Sequence, residues 1–252
     1  MLEFIASFEL APVSWFLLIG ASALIGMNKT GLAGLSLIAV PILAAAFGGK
    51  ASTGLILPLL IAADSLAIFS YRKSICWKAM LRLIPWTLPG LAIALYVGDH
   101  VSDHIFKICI AAVVFIVLMI MVIREIRGGT EELEPRWYLT AGVGLIGGFA
   151  AMIGNVAGPI VGVYFLSMSL NKNEFIATRA WFFWIINIIK LPLQIFIWRE
   201  ISVESLELNL IMLPAIFIGA AAGVIIVKRI ADRPYRIFLI TITAVSAVLL
   251  LF

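Results

Sequence analysis

Two short motifs of similar composition lie at comparable positions in the two halves of the sequence. The first, GMNKTGLAG, occupies 26–34, and the second, GNVAGP, occupies 154–159. Each motif joins two apolar runs, and its glycines permit a turn. In the second motif Pro159 also suits the first turn of a new helix. Because the start of a helix offers unpaired N–H groups and a positive dipole, it favours an anion. Two solvent-facing turns are the alternative, but the repetition favours an anion site formed by Asn28, Lys29, Thr30, Gly31, Gly34, Asn155, Gly158 and Pro159.

A polar stripe runs along the apolar segment 175–197. At about 100° per residue, Arg179, Asn187, Lys190 and Gln194 fall within an arc of about 80° on a helix. Charged residues inside a membrane span usually face the bundle interior or a cavity; the alternative is that they extend to the membrane surface. Arg179 is close enough to the start of the segment to reach the membrane surface. Lys190 is not, since a mostly apolar run follows it before the segment ends. We therefore predict that Arg179, Asn187 and Lys190 bind substrate.

Asp64 is the only acidic residue in the interior of an apolar segment, since Glu207 is the first residue of its segment, and Thr53 lies on the same helical face as Asp64. Its carboxylate has two alternative roles, which the sequence leaves open. It carries a coupling proton or cation, or it forms a structural ion pair with Lys29 or Lys190.

A further group of polar residues surrounds the 99–103 loop. His100 and His104 are spaced i,i+4 beside Asp99 and Asp103, a spacing that suits a divalent metal. Asp103 is also well placed to cap the helix that follows, and we favour capping. We therefore expect neither a metal site nor a cofactor.

The composition requires a membrane. Of the 252 residues, 63% are apolar and 13% are charged, with a mean hydropathy of +1.14, whereas soluble domains carry about 45–50% apolar and 25% charged residues. A water-soluble domain of this size is excluded because too few charges remain to cover its surface. The net charge of +4 does not indicate nucleic-acid binding, since the basic residues lie mainly in short loops. Cys76 and Cys109 lack the paired spacing of a metal or redox motif.

Ten apolar segments follow one another, several of them close to the roughly 20 residues that cross a bilayer. They lie at 11–27, 31–47, 52–70, 79–98, 104–124, 136–153, 156–170, 175–197, 207–227 and 234–252. Loops rich in Lys and Arg stay in the cytoplasm. The basic loops 71–82 and 228–236 are therefore predicted to be cytoplasmic. By alternation of the segments, the linker 124–136, whose charge is mixed, is also cytoplasmic, and loops 99–103 and 199–207 are external. We expect a multi-pass protein of the inner cell membrane with both termini outside.

The two halves match position by position. The run DHIFKI at 103–108 resembles DRPYRI at 232–237. At the same offset Pro85 matches Pro214 and Gly90 matches Gly219, and with small offset changes Trp15, Gly34 and Thr53 match Trp137, Gly158 and Thr178. Because each half has an odd number of segments, the second half enters the membrane from the opposite face, as in many secondary transporters.

The fold predicted from these features is an all-α polytopic membrane protein. It has about eight to ten hydrophobic helical segments in two inverted five-segment repeats. Broken or re-entrant helices are expected near 27–34 and 153–159. The first transmembrane repeat occupies 1–123, the cytoplasmic linker 124–135 and the second transmembrane repeat 136–252.

Four segments that together cover nearly the whole chain carry a family resemblance. They read GMNKTGLAGLSLIAVPILA (26–44), TGLILPLLIAADSLAIFSYRK (53–73), GLIGGFAAMIGNVAGPIVGVYFL (144–166) and FIATRAWFFWIINIIK (175–190). In these segments the chain resembles the TauE/SafE sulfite-exporter family, also called toluenesulfonate uptake permeases. The resemblance implies transport of small anions such as sulfite, sulfonates or sulfoacetate. It also implies that Thr178, Asn187 and Lys190 bind the substrate.

We predict a secondary transporter that moves small anions, sulfite or organosulfonates foremost, by alternating access, with proton coupling as an open addition. A membrane-embedded enzyme is one alternative, but no nucleophile, metal cluster or acid–base pair is evident at one depth. A cation or metal permease is the other, and it would favour several intramembrane acids. The expected partners are the small anion and the lipid bilayer, with no nucleic acid; a homodimer is an open alternative.

Overall fold

The computed structural model describes residues 11–32, 34–72, 74–102, 104–105, 119, 137–168, 170–231 and 234–235. The helices within this part of the chain are α1 (Pro12–Lys29), α2 (Ser36–Phe47), α3 (Gly49–Tyr71), α4 (Trp77–His100), α5 (Trp137–Gly154), α6 (Gly158–Leu166), α7 (Lys172–Pro192) and α8 (Val203–Arg229). Helix α7 continues directly into a π-helical turn, Leu193–Trp198.

Five of the helices in the described part of the chain are long and apolar enough to cross a membrane. They are α3, α4, α5, α8, and α7 together with its π-helical turn. The prediction of an all-α, multi-pass membrane protein is therefore confirmed. The segments 104–124 and 234–252 and the linker 124–136 lie almost entirely outside the described residues, so the count of ten segments and the repeat boundaries stay predictions.

The helices are interrupted where the two glycine-containing motifs lie. Helix α1 ends at Lys29 and α2 begins at Ser36, while α5 ends at Gly154 and α6 begins at Gly158. The backbone turns in these gaps through positive φ angles, 138° at Gly31, 108° at Gly34 and 56° at Asn155, which glycine and asparagine adopt most readily. Helices α2 and α6 have 12 and 9 residues, about 18 and 14 Å, and a hydrocarbon core is about 30 Å thick. Each is therefore a partial helix within the bundle.

Two parallel helix pairs, α1 with α8 and α4 with α5, pack backbone to backbone. In each pair a Cβ on a glycine of one helix would overlap a backbone carbonyl of the other. Small residues permit this close approach, which stabilises helix association in membranes. The contacts join Gly26 to Ile216 and Gly219 to Ala23 in the first pair, and Gly148 to Thr87 and Gly90 to Leu145 in the second.

The loops collect at two opposite ends of the bundle. At one end the Cys76 N–H donates to Thr178 Oγ1 (2.9 Å) and Lys172 Nζ donates to the Ile230 carbonyl (2.6 Å). At the other end Lys50 Nζ lies 3.5 Å from Asp99 Oδ1. The basic loops 71–82 and 228–236 thus share one end, as the alternation of segments requires.

Candidate functional site

A small cavity, the central pocket, lies where α1 and α5 end and α2 and α6 begin. Its volume is about 10 Å³, which is room for roughly one water molecule. Of the predicted site residues, it is lined by Asn28, Lys29, Asn155, Gly158, Arg179, Asn187 and Lys190, and the remaining lining residues are Ser36, Leu60, Ala151, Ala157 and Phe183. The structure therefore brings both motifs and the polar stripe of α7 to one place.

The starts of two helices face the central pocket. Ser36 is the first residue of α2, and Gly158 is the first residue of α6. The glycine leaves room for a neighbouring guanidinium, because a Cβ at Gly158 would lie 3.3 Å from Arg179 Nη2. The α1–α2 gap is held in shape by Asn28, whose Oδ1 accepts a hydrogen bond of 2.9 Å from the Gly34 N–H. The first N–H groups of a helix have no partner within that helix, and the positive end of its dipole lies there, so both helix starts suit an anion at the pocket.

Asp64 forms a buried ion pair with the pocket residue Lys29, although Asp64 itself is not among the described residues that line the pocket. Lys29 Nζ lies 2.9 Å from Oδ1 and 2.9 Å from Oδ2 of Asp64. Asn187 Nδ2 donates to Oδ2 of the same carboxylate at 2.9 Å. Of the two bases that the sequence offered as partners of Asp64, the structure places Lys29 beside it. Thr53 lies elsewhere, where its hydroxyl accepts a hydrogen bond from Gln194 Nε2 at 3.1 Å.

Lys190 is fully buried and is bound by neutral oxygen atoms. Its Nζ donates to the Ala151 carbonyl at 2.6 Å and to Asn155 Oδ1 at 2.5 Å. Ala151 lies in the last turn of α5, where the negative end of the helix dipole favours a cation. Asn155 is itself oriented by a hydrogen bond of 3.3 Å from its Nδ2 to the Thr53 carbonyl. Within the described residues, no carboxylate lies within 4.0 Å of Lys190.

Arg179 is the third buried cation, with 4% of its surface exposed. Its Nη1 donates to the Asn28 carbonyl at 3.5 Å, and its Nε has no hydrogen-bond partner among the described residues. Like Lys190, it has no carboxylate within 4.0 Å in the part of the chain that the structure describes. Three cations and one carboxylate therefore leave the pocket with a formal excess of two positive charges. Such buried charge is costly unless an opposite charge compensates it.

Among the other predicted site residues, Thr30, Gly31 and Thr178 form hydrogen bonds between distant segments of the chain and are not among the described residues that line the pocket. The Thr30 hydroxyl donates to the carbonyls of Gly26 and Ala220, both at 3.0 Å, and the Gly31 carbonyl accepts a hydrogen bond from the Tyr235 hydroxyl. Thr178, as above, fixes the start of α4. Pro159 is the second residue of α6, a position that suits proline.

Phe183 is a pocket residue that the sequence interpretation missed. It lies four residues after Arg179 and four before Asn187, so helical spacing places it in the middle of the polar stripe. Its position on this face of the helix could have identified it as a pocket residue. It was left out because the stripe was defined by polar residues and Phe183 is apolar.

The described part of the His100 and His104 group shows a contact within its own helix. His100 Nδ1 lies 2.8 Å from the Tyr96 carbonyl in its own helix, and the described residues contain no group of three or more His, Cys, Asp or Glu side chains placed to hold a metal ion. Asp103 and Cys109 lie outside the described residues.

A family model described as sulfite exporter TauE/SafE matches residues 18–250, nearly the whole chain. The chain belongs to the sulfite exporter TauE/SafE family. This confirms the resemblance found in the sequence. No curated protein and no solved structure matches the chain. Since TauE/SafE proteins form a family of membrane transporters and not of enzymes, the central pocket lies in a transporter.

Proposed function

We propose that this TauE/SafE protein is a secondary transporter that moves small sulfur oxyanions, sulfite foremost, across the cell membrane. The observation that carries the proposal is the charge of the central pocket. Lys29, Arg179 and Lys190 are buried around it, and Asp64 is the one carboxylate beside them among the described residues. A bound anion would offset the two unpaired cations, and the helix starts supply further N–H donors. The same excess of positive charge disfavours a cation permease.

We infer that the pocket opens by movement of two equivalent halves. Sulfite has four non-hydrogen atoms, and a volume of about 10 Å³ is too small for it. Binding therefore requires the pocket to widen. Because α3 and α7 meet at the pocket, a relative movement of the halves that contain them would open it towards one end of the bundle at a time.

The two close helix contacts support this equivalence. The contact of Gly26 with Ile216 corresponds to the contact of Gly148 with Thr87. The offsets between these residues are those of the sequence repeat. Gly148 lies 122 positions after Gly26, as Trp137 does after Trp15. Ile216 lies 129 positions after Thr87, as Pro214 does after Pro85. Helix α1 thus corresponds to α5, and α8 to α4. Each contact joins a helix of one half to a helix of the other half, and the two halves exchange roles between the two contacts. Inverted repeats produce this relation.

We further infer that the end carrying loops 71–82 and 228–236 faces the cytoplasm, because both loops carry an excess of basic residues. Single cysteines at 101 and 203, in a chain without Cys76 and Cys109, should react with an impermeant thiol reagent added outside the cell. A cysteine at 130 should not react. Labelling at 130 from outside would contradict both the orientation and the inverted repeat.

Asp64 is proposed to couple the anion to a proton. Lys29 contacts Asp64 and also lines the pocket, so an anion there competes with Asp64 for the same ammonium. A carboxylate that loses part of its partner gains from taking up a proton. By linkage, the anion and the proton then strengthen each other's binding.

Flux measurements in proteoliposomes test the function. Purified protein should take up sulfite in a saturable manner, faster when a pH gradient is imposed. Unlabelled thiosulfate, sulfate, sulfonates and carboxylates would then be ranked as competitors. Sulfite uptake equal to that of protein-free liposomes would contradict the proposal.

A further inference from the structure

Phe183 is the only aromatic side chain among the described residues that line the central pocket. The centroid of its ring lies 4.4 Å from Lys29 Nζ and 5.7 Å from Arg179 Cζ. Both distances fall within the range in which a cation is attracted to an aromatic ring. One buried ring therefore contacts two of the three cations that surround the pocket.

We propose that Phe183 determines the size selectivity of the pocket, so that it accepts a small inorganic sulfur oxyanion and excludes sulfonates with a bulky organic group. The inference rests on the proposed function and specifies its substrate class. The lining side chains differ in whether they can move aside when the pocket widens.

The three cations and the phenyl ring differ in how they can move. Lys29, Arg179 and Lys190 have long side chains with several torsions, so their charged ends can shift around an anion. The phenyl ring has two torsions and is 6% exposed, so it keeps its volume at the pocket wall. Its attraction to Lys29 and Arg179 also holds the ring beside the groups that would bind the anion.

An organic substituent would meet this ring. The oxygen atoms of a sulfonate require the cations and the helix starts, which leaves its apolar group against the apolar lining residues. The largest of these are Phe183 and Leu60. Replacing the phenyl ring by a smaller side chain would make room for the substituent, whereas the oxygen-binding groups would remain.

The adjacent Phe182 provides a matched control. It is fully buried in the same helix, and its ring packs against Phe165 and against the edge of Phe183, with ring centroids 5.9 and 5.3 Å apart. It is not among the described residues that line the pocket, so its replacement tests for an effect of lost packing around Phe183. Phe182→Leu and Phe183→Leu therefore remove the same atoms from buried positions on different faces of α7.

The experiment measures labelled sulfite uptake into proteoliposomes with unlabelled sulfite, methanesulfonate or benzenesulfonate as competitor. In the wild type, sulfite should compete at least about tenfold better than benzenesulfonate, and Phe183→Leu should reduce this preference by about tenfold. Phe182→Leu should leave the preference unchanged. Phe183→Met, which better preserves packing, should shift the preference in the same direction and serves if the leucine variant does not fold.

An unchanged preference in a Phe183 variant that still takes up sulfite would overturn this inference alone. Equal shifts in the Phe182 and Phe183 variants would also overturn it. Absence of sulfite uptake by the wild type would instead overturn the proposed function, and this inference with it.

Discussion

Replacement of Lys190 by methionine tests whether the central pocket binds an anion through charge. Lys190 is 0% exposed, and its bonding partners in the described part of the chain are the neutral oxygens of Ala151 and Asn155. Two unit charges about 4 Å apart interact by about 4 kcal/mol at an effective dielectric constant of about 20. Complete loss of that interaction would weaken binding about a thousandfold. Water that enters the site restores part of the screening, so we expect a loss of at least about tenfold in sulfite affinity.

Folding should survive the substitution. Methionine is unbranched and fills the space of the lysine stem, and the change removes a buried charge that has no carboxylate within 4.0 Å among the described residues. Lys190→Arg keeps the charge but should also be impaired, since its larger planar head must fit beside a pocket of about 10 Å³. Sulfite affinity would be measured by calorimetry in detergent and initial uptake in proteoliposomes. Lys228→Met, an exposed change at the end of α8, controls for net charge. Wild-type affinity in the Lys190→Met protein would refute the reasoning and make the polar stripe structural.

Three further outcomes are expected. Asp64→Asn, which mimics the protonated carboxyl group, should retain anion exchange and lose acceleration by a pH gradient; unchanged pH dependence of uptake would reject coupling through Asp64. Asn28→Ala and Asn155→Ala should weaken sulfite binding by about 1–2 kcal/mol, since each removes hydrogen bonds that shape the pocket. The melting temperatures of both variants should change little. Gly26→Val should destabilise the protein by about 1–3 kcal/mol or more, because its side chain would overlap the backbone of α8. Gly20→Val in the same helix should not destabilise the protein, because the new side chain would meet open space. Equal melting temperatures of these two valine variants in detergent would argue against the close helix contact.

Within the described residues, local sequence signals were sufficient to locate the helices and their interruptions. Apolar runs of nearly bilayer length mark the long helices. The glycines at 31 and 34 and Asn155 mark the breaks, because those residue types adopt positive φ angles at low cost. The polar stripe was also predictable, since a charged residue such as Lys190 is unfavourable in lipid and must face the interior.

The pairing of the polar residues was not predictable from sequence. Asp64 lies 35 residues from Lys29, and only the packing of α1 on α3 shows that Lys29 and not Lys190 reaches its carboxylate. Phe183 was missed for a different reason. In a membrane protein the lipid-facing surface is as apolar as the interior, so an apolar residue gives no sign of which side of a helix it occupies. Thr30 was predicted to bind substrate from its place in the first motif, and Thr178 from the family resemblance. In the structure their hydroxyls form hydrogen bonds with backbone groups of distant segments, which the sequence did not indicate.

The charge and the size of the central pocket support the same class of substrate. With Lys29 paired to Asp64, the formal excess of two positive charges lies on Arg179 and Lys190. An inorganic dianion such as sulfite balances this excess, whereas a sulfonate carries one negative charge and leaves one cation uncompensated in a buried site. Phe183 excludes a bulky substituent by volume, which is independent of charge. Methanesulfonate, which is small but singly charged, should therefore compete less well than sulfite even in the Phe183→Leu protein. Benzenesulfonate should gain from that substitution without reaching the affinity of sulfite.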